Sequence, residues 1–301
     1  MSLIKASHEH EQKQDAELLD RIATEVKAMA ELGLLSSDID GVKGLWKERV
    51  EQEPKRLINP DLSINTDALR NFWRQMIFVS DQPDGRVGRF SPWNVLDGRH
   101  RGSPTFVREL LAVILEHGHG DLLRTYPCPS IGNPRVIHKH GFRFTMRWLR
   151  HIYFAGLMNQ VLNGKLDDDF VMMDIGTSFG GFSSLVKSEN PGSHQVLIDF
   201  SEQLVLAHYF LGKRFPDARI AGAKELSEVE QIDKNFIRQY DFCLIPIQMY
   251  SRVAVGSIDI VSSLTSLGEM PRKWFDIYLK SSAFQSAKFL ITLCAITPAP
   301  I

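Results

Sequence analysis

Cysteine is scarce in this sequence, and its few copies form no motif. The 301 residues contain three cysteines, Cys128, Cys243 and Cys294, with no C-x-x-C pair among them. Thiolate zinc sites and disulfide frameworks both need clustered cysteines. We therefore expect neither, and the default compartment for such a chain is the reducing cytoplasm.

An excess of charge of one sign is also lacking. Lys and Arg number 35, Asp and Glu number 36, and the formal net charge is −1. Nucleic acids and anionic membranes attract proteins with an excess of positive charge, so overall charge favours neither as a partner. No apolar run approaches the ~20 residues of a bilayer span, and the opening MSLIKASHEHEQKQD lacks the apolar segment of a signal peptide. We expect no integral membrane segment.

Helical periodicity dominates the first 165 residues. Leu18, Ile22, Val26, Met29 and Leu32 recur at three- and four-residue steps, and Gly33 follows as a stop signal. Similar patterns predict three further helices: one carrying Leu69 to Ile77, one from Thr105 to about Gly118, and one from Phe142 to Leu162.

After residue 165 the pattern alternates between strands and helices. The strand candidates are Val171–Ile175, Gln195–Phe200, Phe242–Pro246, Ser257–Ser262 and Lys288–Leu293, while Ala218–Ala223 competes with Phe242–Pro246 as the third strand. Such alternation predicts a parallel sheet covered by helices. We divide the chain into a helical domain, residues 1–165, and a Rossmann-like α/β domain, residues 166–301.

The most informative stretch is the turn that follows the first of these strands. Asp174, Gly176, Ser178 and Gly180 have the spacing D-x-G-x-G-x-G with serine at the middle glycine, and Thr177 lies inside the turn. Small residues allow a ligand to approach the backbone, and the next helix offers free amides at its positive end. We predict that this turn binds a nucleotide-type cofactor.

An acidic residue at the end of the second strand supports this prediction. Asp199 ends QVLID, 25 residues after Asp174, where a carboxylate can accept hydrogen bonds from both ribose hydroxyls. Phe200 beside it is a candidate for flanking the base. NAD(P) is a further alternative, but serine at the middle glycine suits a pyrophosphate poorly.

A rival interpretation of the turn is a nucleophile elbow. Residues 176–180 read GTSFG, which matches G-x-S-x-G with Ser178 as the nucleophile of a serine hydrolase. Such enzymes place a histidine late in the chain, whereas the only histidines after Ser178 are His194 and His208. Histidine placement therefore favours the cofactor turn.

Several segments together resemble a known family, the sugar O-methyltransferases of bacterial polysaccharide gene clusters. They are LRNF at residues 69–72, IGNP at 131–134, DIGTSFGGFSSL at 174–185, VLIDFSEQLVLAHYFLGKRFP at 196–216 and SLTSLGEM at 263–270. The resemblance runs from about Leu69 to Leu293. It implies a class I methyltransferase sheet, S-adenosylmethionine (SAM) as cofactor, and a sugar, nucleotide-sugar or glycan acceptor.

The sequence departs from this family in two ways. Ser263, or a neighbour, stands where the family usually has asparagine. Such sheets normally have two strands beyond the fifth, so we expect the last two to be missing. An exposed sheet edge would then favour a homo-oligomer or a truncated, non-catalytic methyltransferase-like protein.

Methyl transfer to a hydroxyl needs a base near the attacking oxygen. Glu269 follows a strand at the sheet edge where ligands gather, so it is the first candidate, although it could equally pair with Arg272. His151 is the second candidate.

Basic residues recur before and within the fourth helix candidate. Arg135, Lys139, Arg143, Arg147 and Arg150 would form one stripe if they were all helical, with Gly141 as a point where it could break. A stripe of this kind is typical of a solvated face, or of a site for an anionic acceptor bound by Arg143 and Arg147.

Two H-x-H pairs suggest a metal only weakly. They are His117 with His119 and His138 with His140, on loops with Asp121 near the first pair. Without a placed carboxylate such pairs are more often incidental, so we expect no metal.

Overall fold

In the computed structural model of the protein, the described residues are 2–35, 57–74, 104–264 and 266–293. The helices are α1 (Ser2–Glu31), α2 (Thr66–Arg70), α3 (Pro104–Glu116), α4 (Gly120–Thr125), α5 (Met146–Leu162), α6 (Gly181–Glu189), α7 (Ser201–Arg214), α8 (Ala223–Ser227), α9 (Lys234–Ile237), α10 (Ser266–Glu269), α11 (Arg272–Lys280) and α12 (Ser282–Gln285). The strands are β1 (Ile137–Lys139), β2 (Phe142–Phe144), β3 (Val171–Ile175), β4 (His194–Asp199), β5 (Ile220–Ala221), β6 (Phe242–Pro246), β7 (Ile260–Leu264) and β8 (Phe289–Leu293). A 3-10 helix, Ile247–Arg252, follows β6.

Six parallel strands form the main sheet, in the order β5-β6-β4-β3-β7-β8. From β3 the chain passes to β4, then to β5 at one edge of the sheet, and then to β6 between β5 and β4. It returns to the other side of β3 with β7 and β8. Strand order therefore reverses at β3, and open α/β sheets bind ligands outside the carboxyl ends of the strands at such a point. The predicted α/β architecture is confirmed.

The third strand of the sheet is the FCLIP segment. Phe242 pairs with Gln195 of β4, whereas Ile220 and Ala221 form only a two-residue edge strand on β6. All five residues of β6 are buried, as are all five of β3. Strands covered on both faces read as continuous apolar runs, which explains why these two were readily recognised.

Helices in two layers cover part of the sheet. α6 and α7 pack against β4, α5 packs against α6, and α1 packs against α7. Within α1 the predicted apolar residues Leu18, Ile22, Val26 and Met29 are buried. Leu32 is 46% exposed because the helix has already ended at Glu31, and Gly33 turns the chain with φ 66°.

The predicted helix over residues 142–162 was wrong at its start. Phe142–Phe144 is a strand paired with Ile137–Lys139, and the helix begins at Met146. Two left-handed residues, His140 (φ 51°) and Gly141 (φ 79°), form the tight turn that a two-residue hairpin requires. Thr145 then starts the helix by accepting a hydrogen bond from the Trp148 amide at 3.1 Å.

Other boundaries also differ from the prediction. The helix expected around Leu69–Ile77 is α2, which ends at Arg70, and Phe72 and Trp73 lie in a turn. Residues 76 and 77 lie outside the described ranges. The main sheet begins at Val171, soon after the predicted domain boundary at residue 165, which stays a prediction.

Polar contacts fix α1 to the rest of the protein. Asp15 pairs with Arg70 at 2.7 Å and with Lys213 at 3.1 Å. The buried carboxylate of Glu25 accepts a hydrogen bond from the Ala223 amide at the start of α8. Burial raises the pKa of Glu25 to about 7. Within the described part of the chain, no helix has the length and apolar character needed to cross a membrane.

The raised pKa of Glu25 predicts a pH-dependent stability. Between about 4.5 and 7 the folded protein holds a proton on Glu25 that the unfolded chain releases, so stability falls as pH rises through this window. We expect this group to lower the free energy of unfolding by roughly 3 kcal/mol by pH 8. Urea unfolding at several pH values should show a flatter pH profile for Glu25→Gln than for the wild type.

Glu31→Gln, an exposed acid on the same helix, is the control and should retain the wild-type slope. Identical slopes for the wild type and Glu25→Gln would contradict the prediction.

Candidate functional site

The candidate site lies at the carboxyl ends of the central strands. The loop from β3 to α6 (residues 176–180), which we call the β3 loop, contacts the end of β4 and the start of α10. In the β3 loop Gly176, Ser178 and Gly180 have left-handed φ angles of 74°, 57° and 76°. Gly180 is the N-cap of α6 without a side-chain cap bond, so the first amides of α6 can serve a ligand.

Asp199 is bonded directly to the β3 loop. Its Oδ2 accepts a hydrogen bond from the Ser178 amide at 2.8 Å, and its Oδ1 accepts one from the Phe200 amide at 2.8 Å. Burial raises the pKa of this carboxyl group to about 7. The two hydrogen bonds from backbone amides lower the pKa, but burial has the larger effect. The structure thus brings together the glycine-rich turn and the acid that the sequence analysis paired. Phe200, half-buried, precedes α7, so Ser201 is the first residue of that helix.

Asp174 supports the β3 loop from within the protein. Its carboxylate is buried and accepts hydrogen bonds from Ser262 of β7 at 2.7 Å and from Ser183 of α6 at 3.2 Å. Burial raises its pKa, against the effect of hydrogen bonds from neighbouring hydroxyls. Asp174 therefore ties β3, β7 and α6 together beneath the loop. Thr177, the next residue after Gly176, is also buried.

Ser266 was not singled out by the sequence analysis, yet it touches the β3 loop. Its hydroxyl donates to the Gly176 carbonyl at 3.1 Å. A Cβ atom on Gly176 would lie 2.1 Å from Ser266 Oγ, so glycine is required there by close approach as well as by φ. Ser266 belongs to the SLGEM segment. Its position between β7 and Glu269 was the feature of the sequence that could have marked it as a site residue.

Ser263 stands where the resemblance leads one to expect asparagine. Its hydroxyl accepts a hydrogen bond from the Leu267 amide at 3.2 Å, near the start of α10. An asparagine side chain can make the same kind of bond, because both residues serve at helix starts. The substitution is therefore compatible with the local structure.

Glu269 is the last residue of α10, three positions after Ser266. α10 follows β7 at the carboxyl edge of the sheet, so Glu269 belongs to a segment that adjoins the β3 loop through Ser266. Arg272, considered as its partner, bonds to Asp276 at 2.8 Å.

Gln248 was also missed by the sequence analysis. Gln248 lies two residues beyond Pro246, the residue of β6 that pairs with Asp199 of β4. Gln248 and Asp199 therefore lie near the ends of neighbouring strands. Its Nε2 donates to the Leu34 carbonyl at 3.0 Å and to the Leu35 carbonyl at 3.3 Å. Its Oε1 is buried and has no hydrogen-bond partner among the described residues.

An aromatic cluster anchors Phe179 of the β3 loop. Its ring is 1% exposed and lies 5.7 Å from Phe72, 5.2 Å from Trp73 and 4.8 Å from Phe210, measured between ring centroids. The ring of Phe72 in turn covers Gly132, where a Cβ would come within 2.1 Å of it. Three segments that carried the family resemblance, at residues 69–72, 131–134 and 174–185, therefore meet in space.

His151 and Arg147 lie one turn apart on α5, whereas Arg143 lies elsewhere. His151 packs against Phe179, with ring centroids 5.8 Å apart, and its Nδ1 is buried without a hydrogen-bond partner among the described residues. Arg143 is in β2 and donates to Ser130 at 2.8 Å. The five basic residues do not form one helical stripe, because the β1–β2 hairpin, with Gly141 in its turn, precedes the helix start at Met146.

The left-handed φ of Ser178 is compatible with a nucleophile elbow, but the surroundings of its hydroxyl are not. Its hydroxyl is buried and has no hydrogen-bond partner among the described residues, so no described histidine bonds to it. Its amide holds Asp199, which is what a cofactor turn requires rather than a catalytic serine. The serine-hydrolase alternative therefore has no structural support.

The two H-x-H pairs lie apart from the β3 loop contacts described above. The rings of His117 and His119 are 6.2 Å apart, near Tyr153 of α5, while His138 and His140 belong to the β1–β2 hairpin. In the described ranges no three His, Cys, Asp or Glu residues are grouped as metal ligands would be.

No protein-family model and no curated protein matches the chain. Among solved structures, coclaurine N-methyltransferase bound to N-methylheliamine and SAH (S-adenosylhomocysteine) has a TM-score of 0.34 at 13% identity, covering 66% of this chain and 54% of that one. A protein-L-isoaspartate O-methyltransferase from Plasmodium falciparum has a TM-score of 0.31 at 14% identity, covering 56% of this chain and 78% of that one. The mitomycin 7-O-methyltransferase MmcR has a TM-score of 0.30 at 13% identity, covering 100% of this chain and 84% of that one. Since these TM-scores lie below 0.5, we base the fold assignment on strand order alone.

The contact between Gly176 and Ser266 can be tested with a matched glycine. Gly176→Ala should destabilise the protein by about 1–2 kcal/mol from its left-handed φ and by about 1–3 kcal/mol more from overlap with Ser266. Gly256 also has a left-handed φ, 75°, so Gly256→Ala should carry the same conformational penalty. Nothing lies within 4 Å of the Cβ that this substitution adds. Urea unfolding should therefore show a larger loss for Gly176→Ala.

Adding Ser266→Gly to Gly176→Ala should recover the extra loss, since it removes the overlapping atoms. Equal losses for the two single glycine variants would contradict the packing described here.

Proposed function

We propose that the protein is a SAM-dependent O-methyltransferase acting on a sugar hydroxyl of a glycan or nucleotide-sugar. The observation that carries this proposal is the bond between the Ser178 amide and Asp199, at the point where strand order reverses. A glycine-rich turn and a neighbouring acid held together there suit a nucleoside whose ribose the acid binds.

The residues present fit such a cofactor. The uncapped start of α6 provides amides and a positive dipole end for a carboxylate. Asp199 can accept ribose hydroxyls, and Phe200 beside it can flank the base. The buried, unpartnered Oε1 of Gln248 can accept a hydrogen bond from an amino group on that base. The buried hydroxyl of Ser178 is a further polar group without a partner among the described residues.

Each part of the site then has a distinct task. The backbone of Gly176, Thr177 and Gly180 would line the cofactor, and Asp174 holds that backbone in place from beneath. When bound, the cofactor supplies an electrophilic methyl group. We assign to Glu269 the role of taking the proton of the attacking hydroxyl, because α10 follows β7 at the carboxyl edge of the sheet, with His151 as the alternative base.

The choice of acceptor rests on the family resemblance. Arg143 and Arg147 are the residues we assign to an anionic acceptor. Arg147 lies on α5, one turn before His151, and Arg143 lies on the hairpin. A nucleotide-sugar or an anionic glycan would suit them.

The role of Asp199 predicts a pH-dependent affinity for SAH, the product of SAM. With a pKa of about 7, the carboxylate loses its charge as pH falls from 8 to 6. An ionised acceptor binds hydroxyls more strongly, so SAH affinity should fall up to roughly tenfold over this range. Asp199→Asn should bind SAH weakly and without this pH dependence, as measured by calorimetry. Asp217→Asn, an exposed acid beyond α7, is the control.

Unchanged SAH binding by Asp199→Ala, or no binding by the wild type, would refute the proposed cofactor. Labelling of Ser178 by a fluorophosphonate would instead favour hydrolase chemistry. Binding of SAH without turnover on any glycan would point to a methyltransferase-like protein that is not catalytic.

A further inference from the structure

His151 lies directly beside the start of α6. Its Cε1, the ring atom next to Nδ1, is 2.7 Å from where a Cβ on Gly181 would stand. Gly181 is the first residue of α6, and the helix has no side-chain cap. The absence of a Cβ at this position thus leaves room for the rings of Phe179 and His151 against the helix start.

The imidazole is held in this place by aromatic packing. Besides Phe179, it contacts Phe182 with ring centroids 6.4 Å apart and Trp148 at 6.0 Å. Its Nδ1 is buried and has no hydrogen-bond partner among the described residues. A buried ring nitrogen left unbonded is costly, and a ligand at the α6 start could supply its partner.

The surroundings of this nitrogen are electropositive. Arg147 lies four residues before His151, hence on the same side of α5, and Arg150 is adjacent in sequence. Burial lowers the pKa of His151 well below its usual value, and the charges of Arg147 and Arg150 lower it further. The dipole of α6 adds positive potential from the other side. An anion is the group this environment would stabilise.

We propose that Arg147 and His151 bind the amino-acid carboxylate of the cofactor, together with the first amides of α6. The inference rests on the proposed function and revises it at two residues. His151 becomes a binding residue in place of a general base, which leaves that role to Glu269. Arg147 becomes a cofactor residue, which leaves Arg143 as the residue assigned to an anionic acceptor.

Two ligands separate this role from a general effect on the site. SAH has the amino-acid carboxylate, whereas 5′-methylthioadenosine shares its adenosine and thioether but lacks the amino acid. Loss of a hydrogen bond to a charged group corresponds to a roughly tenfold or greater loss of affinity. Calorimetry should therefore show that Arg147→Gln and His151→Phe weaken SAH binding about tenfold or more, while binding of 5′-methylthioadenosine stays within about twofold of wild type.

Conservative variants sharpen the comparison. His151→Asn keeps a polar nitrogen near the Nδ1 position and should bind SAH more tightly than His151→Phe, which keeps only ring size. Arg124→Gln removes the same charge from an arginine that pairs with Asp121 on α4, and it should bind both ligands like the wild type. Thermal unfolding checks that each variant is folded.

Each outcome decides the inference. Selective loss of SAH supports it. Equal loss of both ligands would assign His151 and Arg147 a structural role and overturn it, as would wild-type affinity for SAH in both variants. Failure of the wild type to bind either ligand would refute the proposed function itself. This result differs from those that refute only the roles of Arg147 and His151.

Discussion

The hydrogen bond from the Ser178 amide to Asp199 is the contact on which the candidate site depends. It joins the turn after β3 to the end of β4, so two segments from separate strands form one surface. Ser178 makes this bond with a left-handed φ of 57°, which most residues avoid. Asp174 below the turn and Ser266 beside it fix the same backbone, through bonds to Ser262, Ser183 and Gly176.

The amino-terminal part of the chain contributes to this surface from outside the sheet. The aromatic cluster around Phe179 joins residues 72, 73 and 132 to the turn, and α5 places His151 at the start of α6. These contacts are mostly apolar, and burial of large aromatic rings stabilises such a junction without specifying a ligand. Specificity must therefore come from the few polar groups that face the carboxyl ends of the strands.

Much of the sheet could be predicted from sequence, because its four central strands are buried on both faces and read as apolar runs. The pairing of Asp199 with the glycine-rich turn could be predicted for a related reason, since parallel strands end at the same edge. The start of α5 could not, because a two-residue turn at His140 and Gly141 looks much like a weak point within a helix. Gln248 and Ser266 escaped attention because their roles depend on packing between segments far apart in sequence.

The nitrogen and the oxygen of the Gln248 side-chain amide have different surroundings. Its nitrogen is occupied by the carbonyls of Leu34 and Leu35, just after α1, while its oxygen is directed elsewhere and unbonded in the described structure. The orientation of this side chain is thus dictated by a stretch of chain more than 200 positions away in sequence. Shortening the protein from its amino end would free the amide to rotate, and a ligand that relies on its oxygen would then meet a donor as often as an acceptor.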